Sequence, residues 1–152
     1  MKKLLLAMGM MCAMAANAAT LTQGQSVTAI ELADQHEQMR QVNADTAILL
    51  FSRDMKGGEI IQASLEAMGD KIPGDLVYVA DISRMPGLIA KFVAIPQLQQ
   101  LPFAIALDRE GEATAALPSE KDKAALIKLD GLKVTDIQYF DSAEALTSAL
   151  QP

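Results

Sequence analysis

Apolar and polar positions divide the chain into runs of two kinds. Ala47-Ile48-Leu49-Leu50-Phe51 is continuously apolar, the pattern of a strand buried on both faces. Leu76-Val77-Tyr78-Val79-Ala80 and Phe103-Ala104-Ile105-Ala106-Leu107 repeat it. Between the first two, Ile60, Ile61, Ser64, Leu65 and Met68 recur at helical spacing, with Glu59, Gln62 and Glu66 on the opposite face. This predicts a helix from about Glu59, preceded by a turn at Gly57-Gly58 and closed by Ile72-Pro73-Gly74. A second helix opens at Pro86-Gly87, with Leu88, Ile89, Phe92 and Val93 as its inner face, and Pro96 ends or kinks it. The same length and Pro96 would alternatively build the rim of a groove.

Asp108-Arg109-Glu110-Gly111 closes the third strand, and 112–117 suits a short helix. Residues 124–129 and 132–140 flank Asp130-Gly131, a strong hairpin-turn signal. On the second arm the apolar phase slips, from Leu132 and Val134 to Ile137 and Tyr139, which a β-bulge or an edge position explains. Asp141 and Glu144 resemble a capping box for a last helix, with Ala145, Leu146, Ala149 and Leu150 inward. Ahead of all this, 24–42 reads as a hairpin with Val27, Ile30 and Leu32 on one limb and Asp34-Gln35-His36-Glu37 at its turn. Strands separated by helices imply parallel pairs, and the late hairpin adds an antiparallel edge. The fold class is α/β: a central mixed β-sheet flanked by helices on both faces, with an N-terminal β-hairpin.

The N-terminus is a separate case. Lys2 and Lys3 precede an apolar run from Leu4 to Ala16, too short for a bilayer span, and Ala16-Asn17-Ala18 is a small-x-small site. These are the parts of a secretory signal peptide over 1–18, leaving 19–152 as one domain. Met10 and Met11 precede Cys12 where a lipoprotein signal needs a small residue, so no lipid anchor is expected. The expected location is periplasmic or secreted, with no stable membrane insertion after cleavage.

Composition then narrows function. A 51% apolar content over 152 residues excludes a disordered chain, and a net charge of −6 argues against a nucleic-acid partner. Cleavage removes the single Cys, so a domain bound for an oxidising compartment brings no thiol.

Particular residues carry a resemblance. Gly24-Gln25-Ser26-Val27-Thr28-Ala29-Ile30-Glu31-Leu32-Ala33-Asp34-Gln35-His36, then Ile48-Leu49-Leu50-Phe51, then Leu101-Pro102-Phe103-Ala104-Ile105-Ala106-Leu107-Asp108-Arg109-Glu110-Gly111 and the Asp130-Gly131 hairpin follow one another in order. Together they resemble the thioredoxin-like superfamily, in its alkyl hydroperoxide reductase and thiol–disulfide oxidoreductase branch, and small secreted thioredoxin-fold proteins especially. The resemblance implies a Cys-x-x-Cys or a peroxidatic Cys after the first core strand. In register that place holds Lys56-Gly57-Gly58-Glu59. A thiolate is the nucleophile in both chemistries, and neither Lys nor Glu replaces it. The resemblance also implies a cis-Pro loop facing the cysteines. The corresponding loop is Ser119-Glu120-Lys121-Asp122-Lys123, with Asp122 or Lys123 at the Pro position; a second register puts Leu101-Pro102 there.

The candidate binding loop is therefore Arg53, Asp54, Lys56, Gly57, Gly58 and Glu59, faced by Asp122 and Lys123. A helix N-terminus with nearby cations suits a phosphate, sulfate or carboxylate. Asp54 and Glu59 oppose this, and a turn that merely replaces a redox loop is the plainer reading. His36 is the single His and reads as a turn residue; no metal site, catalytic residue or cofactor is expected. The leading expectation is a redox-inactive module that binds an envelope protein or peptide. The alternatives are a small-anion binder or non-thiol enzyme at Lys56-Gly57-Gly58, and a structural protein that associates through the 132–140 edge.

Overall fold

The computed structural model describes residues 20–151, so the signal-peptide reading of 1–18 lies outside the described residues. Two strands, β1 (Ile30–Ala33) and β2 (Met39–Val42), pair antiparallel as the N-terminal hairpin. The main sheet contains β3 (Ile48–Ser52), β4 (Leu76–Asp81), β5 (Ala106–Asp108), β6 (Ala124–Asp130) and β7 (Lys133–Phe140). Its spatial order is β5-β4-β3-β6-β7. The β3–β4 and β4–β5 pairs are parallel, and β3–β6 and β6–β7 antiparallel. β3 lies at the centre, where Leu49, Leu50 and Phe51 are fully buried, as a continuous apolar run requires.

Helix α1 (Met55–Met68) buries Ile60, Ile61, Ser64, Leu65 and Met68. With α4 (Ala143–Leu150) and Ile95 it packs on Leu50, Tyr78, Ile105 and Leu126 on one face of the sheet. The opposite face is covered by Ile30 and Val42 of the hairpin, by Val27 ahead of it and by Leu117, where the sequence pattern puts a helix. Residues 113–116 form turns in place of the short helix expected over 112–117. Asp108 explains this: its buried carboxylate accepts hydrogen bonds from the Gly111 and Thr114 N–H groups and the Thr114 hydroxyl, pinning the segment as a loop.

Other differences are local. β5 starts at Ala106 instead of Phe103. The cap of α4 is Ser142, whose hydroxyl accepts from the Ala145 N–H, instead of Asp141; Leu146 and Leu150 are buried while Ala145 and Ala149 face solvent. The phase slip on the last strand is a bulge. Lys128 pairs with Asp136 but Leu129 with Val134, so Thr135 is the extra residue.

Asp34 and Gln35 hold the hairpin turn to the domain. Asp34 is buried and accepts from the His36 and Gln38 N–H groups and from Arg40 Nε at 2.8 Å. Burial raises its pKa, but Arg40 and those backbone donors outweigh this and hold the carboxyl below its ordinary value. Gln35 donates to the carbonyls of Leu98 and Phe103 and accepts from the Ile105 N–H, fixing the segment that leads into β5.

Candidate functional site

The polar stretch after β3 is a helix start, not a free loop. Asp54 has extended backbone, and its Oδ1 accepts the Gly57 N–H at 2.8 Å, an N-cap that starts α1 at Met55 instead of Glu59. Gly57 and Gly58 therefore lie within the first turns of the helix, and the turn expected there is absent. Both glycines are buried because other groups approach them. A Cβ on Gly57 would lie 2.5 Å from the Lys123 carbonyl oxygen; one on Gly58 would meet the Tyr78 hydroxyl at 3.4 Å.

Gly57→Ala is accordingly expected to destabilise the protein by about 1–2 kcal/mol, because overpacking against backbone exceeds the gain in helix propensity. Gly58→Ala, in ordinary contact, is expected to be neutral or to stabilise by up to about 1 kcal/mol. Urea unfolding of the two variants checks the contrast, and equal effects would refute the close approach as the reason for Gly57.

Several of the donors that an anion would need at this helix end are already occupied: the Gly57 N–H by Asp54 Oδ1, the Gly58 N–H by the Asp54 carbonyl, and the Arg53 guanidinium by its neighbours. Asp54 Oδ2 accepts the Asp122 N–H at 2.8 Å, so one carboxylate joins α1 to the 119–123 loop. Arg53 is half-enclosed and turned inward. Its Nε bonds Asp81, one terminal nitrogen bonds the Ser119 hydroxyl, and the other donates to the carbonyls of Thr114 and Leu117. Its guanidinium also stacks over Phe51 at 5.0 Å. Lys56 and Glu59 are exposed, and neither forms an ion pair among the described residues. The Lys123 carbonyl faces Gly57, while its ammonium pairs with Glu120 at 3.1 Å. The described residues contain no cis peptide bond, so this loop takes its place against α1 in the trans form.

Beside α1 the surface opens into a cleft of about 550 Å³. Met55, Gly58, Glu59 and Gln62 of α1 form one wall, and Ile89, Ala94, Ile95 and Leu98 the other. Tyr78, Ala80 and Ile105 form the floor, where the Tyr78 and Ser52 hydroxyls lie 3.2 Å apart. Burial pushes the Tyr78 phenol pKa above its ordinary value, offset only in part by hydrogen bonds from Ser52 and Gln62. The phenol is thus a neutral donor and acceptor at physiological pH.

The second wall is where the sequence reading needs its main correction. The chain is helical from Gly87 to Leu98 in three pieces: α2 (Gly87–Ile89), a π turn (Ala90–Ala94) and α3 (Ile95–Leu98). Pro96 does not end the helix. The wide turn lets the Ile95 N–H reach Ala90 O, and Pro96 falls in the opening turn of α3, where a missing N–H costs little. Leu88, Ile89, Phe92 and Val93, expected inward, face outward: Leu88 is 74% exposed and Phe92 66%. Ile95 occupies the core in their place. Met55, 71% exposed, adds to this surface from the opposite wall.

His36 is exposed at the hairpin turn, and no cluster of metal-ligating side chains occurs among the described residues. β7 is an edge strand, partly covered at its start by a bridge from Ser26 to Lys133. No described helix is long and apolar enough to cross a membrane. The Tyr78–Ser52 floor and the Arg84 lip of the cleft are parts that sequence reasoning missed. A Tyr in an apolar strand and an Arg in a turn carry no local signal of a site.

This is a thioredoxin-like fold: a mixed five-stranded sheet, helices upon it and an N-terminal hairpin. Solved structures support the fold. The chain superimposes on peroxidoxin BcpB of Mycobacterium tuberculosis with a TM-score of 0.56 at 15% identity, covering 86% of this chain and 96% of that one. The thioredoxin domain of a thiol-disulfide oxidoreductase from Bacteroides vulgatus gives 0.52 at 11% identity, over 87% and 100%. The exposed lipoprotein thioredoxin of Streptococcus pneumoniae gives 0.56 at 14%, over 81% and 98%. No protein-family model and no curated protein matches the sequence.

Proposed function

We propose that this protein is a periplasmic or secreted, redox-inactive thioredoxin-fold module that binds a polypeptide partner over the cleft beside α1. The observation that carries this reading is the outward apolar stripe of Leu88, Ile89, Phe92 and Val93, which adjoins an apolar-walled cleft. Soluble domains rarely keep a contiguous apolar surface that nothing covers. Redox inactivity is supported by chemistry: beyond Cys12 no residue supplies a thiolate. The location is supported by the signal-like leader, and the pneumococcal neighbour is itself described as an exposed lipoprotein.

The test is site-specific photo-crosslinking in an envelope extract. One probe replaces Phe92; the control replaces Asp130, at the β6–β7 turn and the opposite end of the sheet from the cleft. A reproducible adduct is expected from position 92 alone. No adduct, or the same adducts from both positions, overturns the proposal. An insulin-reduction assay is expected to be blank, and turnover above background would overturn the redox-inactive reading.

A further inference from the structure

We infer that the segment bound at the cleft is an apolar stretch of polypeptide flanked by acidic residues, its carboxylates set against Arg84 and Lys91. This rests on the cleft being a polypeptide site and names the chemistry of its partner. The chain as a whole is acidic, yet residues 82–107 contain Arg84 and Lys91 and not one Asp or Glu. That stretch includes the whole helical wall of the cleft. Arg84 stands at the lip of the cleft, and Lys91 lies over the Phe92 ring at 5.5 Å, next to the apolar stripe. Both are exposed, and neither forms an ion pair among the described residues.

The acids around the cleft stand apart from this wall: Asp81 is ion-paired with Arg53, and Asp54 caps α1 on the facing wall. Glu59 is exposed, but on the α1 wall. The charge is therefore one-sided: cationic along the wall that carries the exposed Leu, Ile, Phe and Val. An acidic flank running along this wall is attracted and a basic one repelled.

Shape favours polypeptide over an anionic bilayer. The apolar surface includes a concavity of about 550 Å³ that side chains can fill and a flat lipid surface cannot.

Panning a random phage library of peptides of about 12 residues against the protein tests this. Enriched peptides are expected to combine two or more large apolar residues with an excess of Asp and Glu. By fluorescence anisotropy at low salt, replacing those acids with Lys is expected to weaken binding about tenfold, the size of two solvent-edge ion pairs. The R84E/K91E double variant is expected to reverse the preference; both positions are exposed, and an unchanged melting curve confirms folding. Apolar peptides without an acidic bias, or a bias that R84E/K91E leaves intact, overturn this inference while the binding function stands. No enrichment beyond that of a Leu88→Ser/Phe92→Ser variant overturns both. Phe92-dependent binding to phosphatidylglycerol vesicles without peptide enrichment also overturns both, in favour of a bilayer surface.

Discussion

Arg53→Met is expected to lower the unfolding free energy by about 3 kcal/mol and the melting temperature by about 10 °C. Arg53 donates to a carboxylate, a hydroxyl and two carbonyls, and its ring-stacked plane fills the space beside Phe51. Removing it leaves the nearly buried Asp81 carboxylate without its ion-pair partner and the Leu117 carbonyl without a donor, while the Thr114 carbonyl keeps only the Leu117 N–H. Losing one partner of a buried pair costs about 3–5 kcal/mol; the partial exposure of Arg53 places it at the lower end. Arg53→Lys is expected to recover little, because an ammonium lacks the planar fork that reaches all four acceptors. Lys56→Ala, only three residues on, is expected to stay within about 0.5 kcal/mol, since Lys56 is exposed and unpaired among the described residues. Urea unfolding of the three variants gives the ranking. A loss below about 1 kcal/mol for Arg53→Met would refute the clamp.

Gln35→Ala is expected to cost about 2–3 kcal/mol. The Gln35 amide is buried and bonds Leu98 O at 3.2 Å, Phe103 O at 2.7 Å and the Ile105 N–H at 2.8 Å. Truncation strands a buried backbone N–H and leaves the Phe103 carbonyl without a donor, while the Leu98 carbonyl keeps the Leu101 N–H. The same bonds tie the hairpin turn to the end of α3 and to the Ile105 floor of the cleft. Amide hydrogen exchange is therefore expected to quicken over 98–105 beyond what global destabilisation produces. Uniform quickening across the protein would show that Gln35 supports the whole fold without a special hold on the cleft.

Much of the architecture was legible because its causes are local. Leu49, Leu50 and Phe51 read as a central strand since no polar position interrupts them, and Asp130-Gly131 read as a hairpin turn. The bulge at Thr135 was visible as a phase slip, because the side-chain period of a strand is two residues. The start of α1 was misplaced because Gly57-Gly58 signals a turn locally. The Asp54 cap and the close Lys123 carbonyl, a contact 66 positions away along the chain, decide otherwise.

The candidate site was less legible. The resemblance sets Lys56 and Glu59 at the expected thiol positions by sequence register alone, and both lie exposed on α1. That Arg53 and Asp54 are consumed by the fold depended on Asp81, Thr114, Leu117, Ser119 and Asp122, which the chain brings together only when folded.

By itself, the sequence determined the mixed α/β architecture, the absence of a thiol after Cys12 and the cationic, acid-free stretch 82–107, because apolar period, composition and charge are properties of the chain. Only the tertiary structure decided which way the stripe of Leu88, Ile89, Phe92 and Val93 points. Helical spacing shows that residues share a face; what that face meets depends on packing partners distant in sequence. Here the π turn and Ile95 give the core its contacts and leave the stripe to solvent.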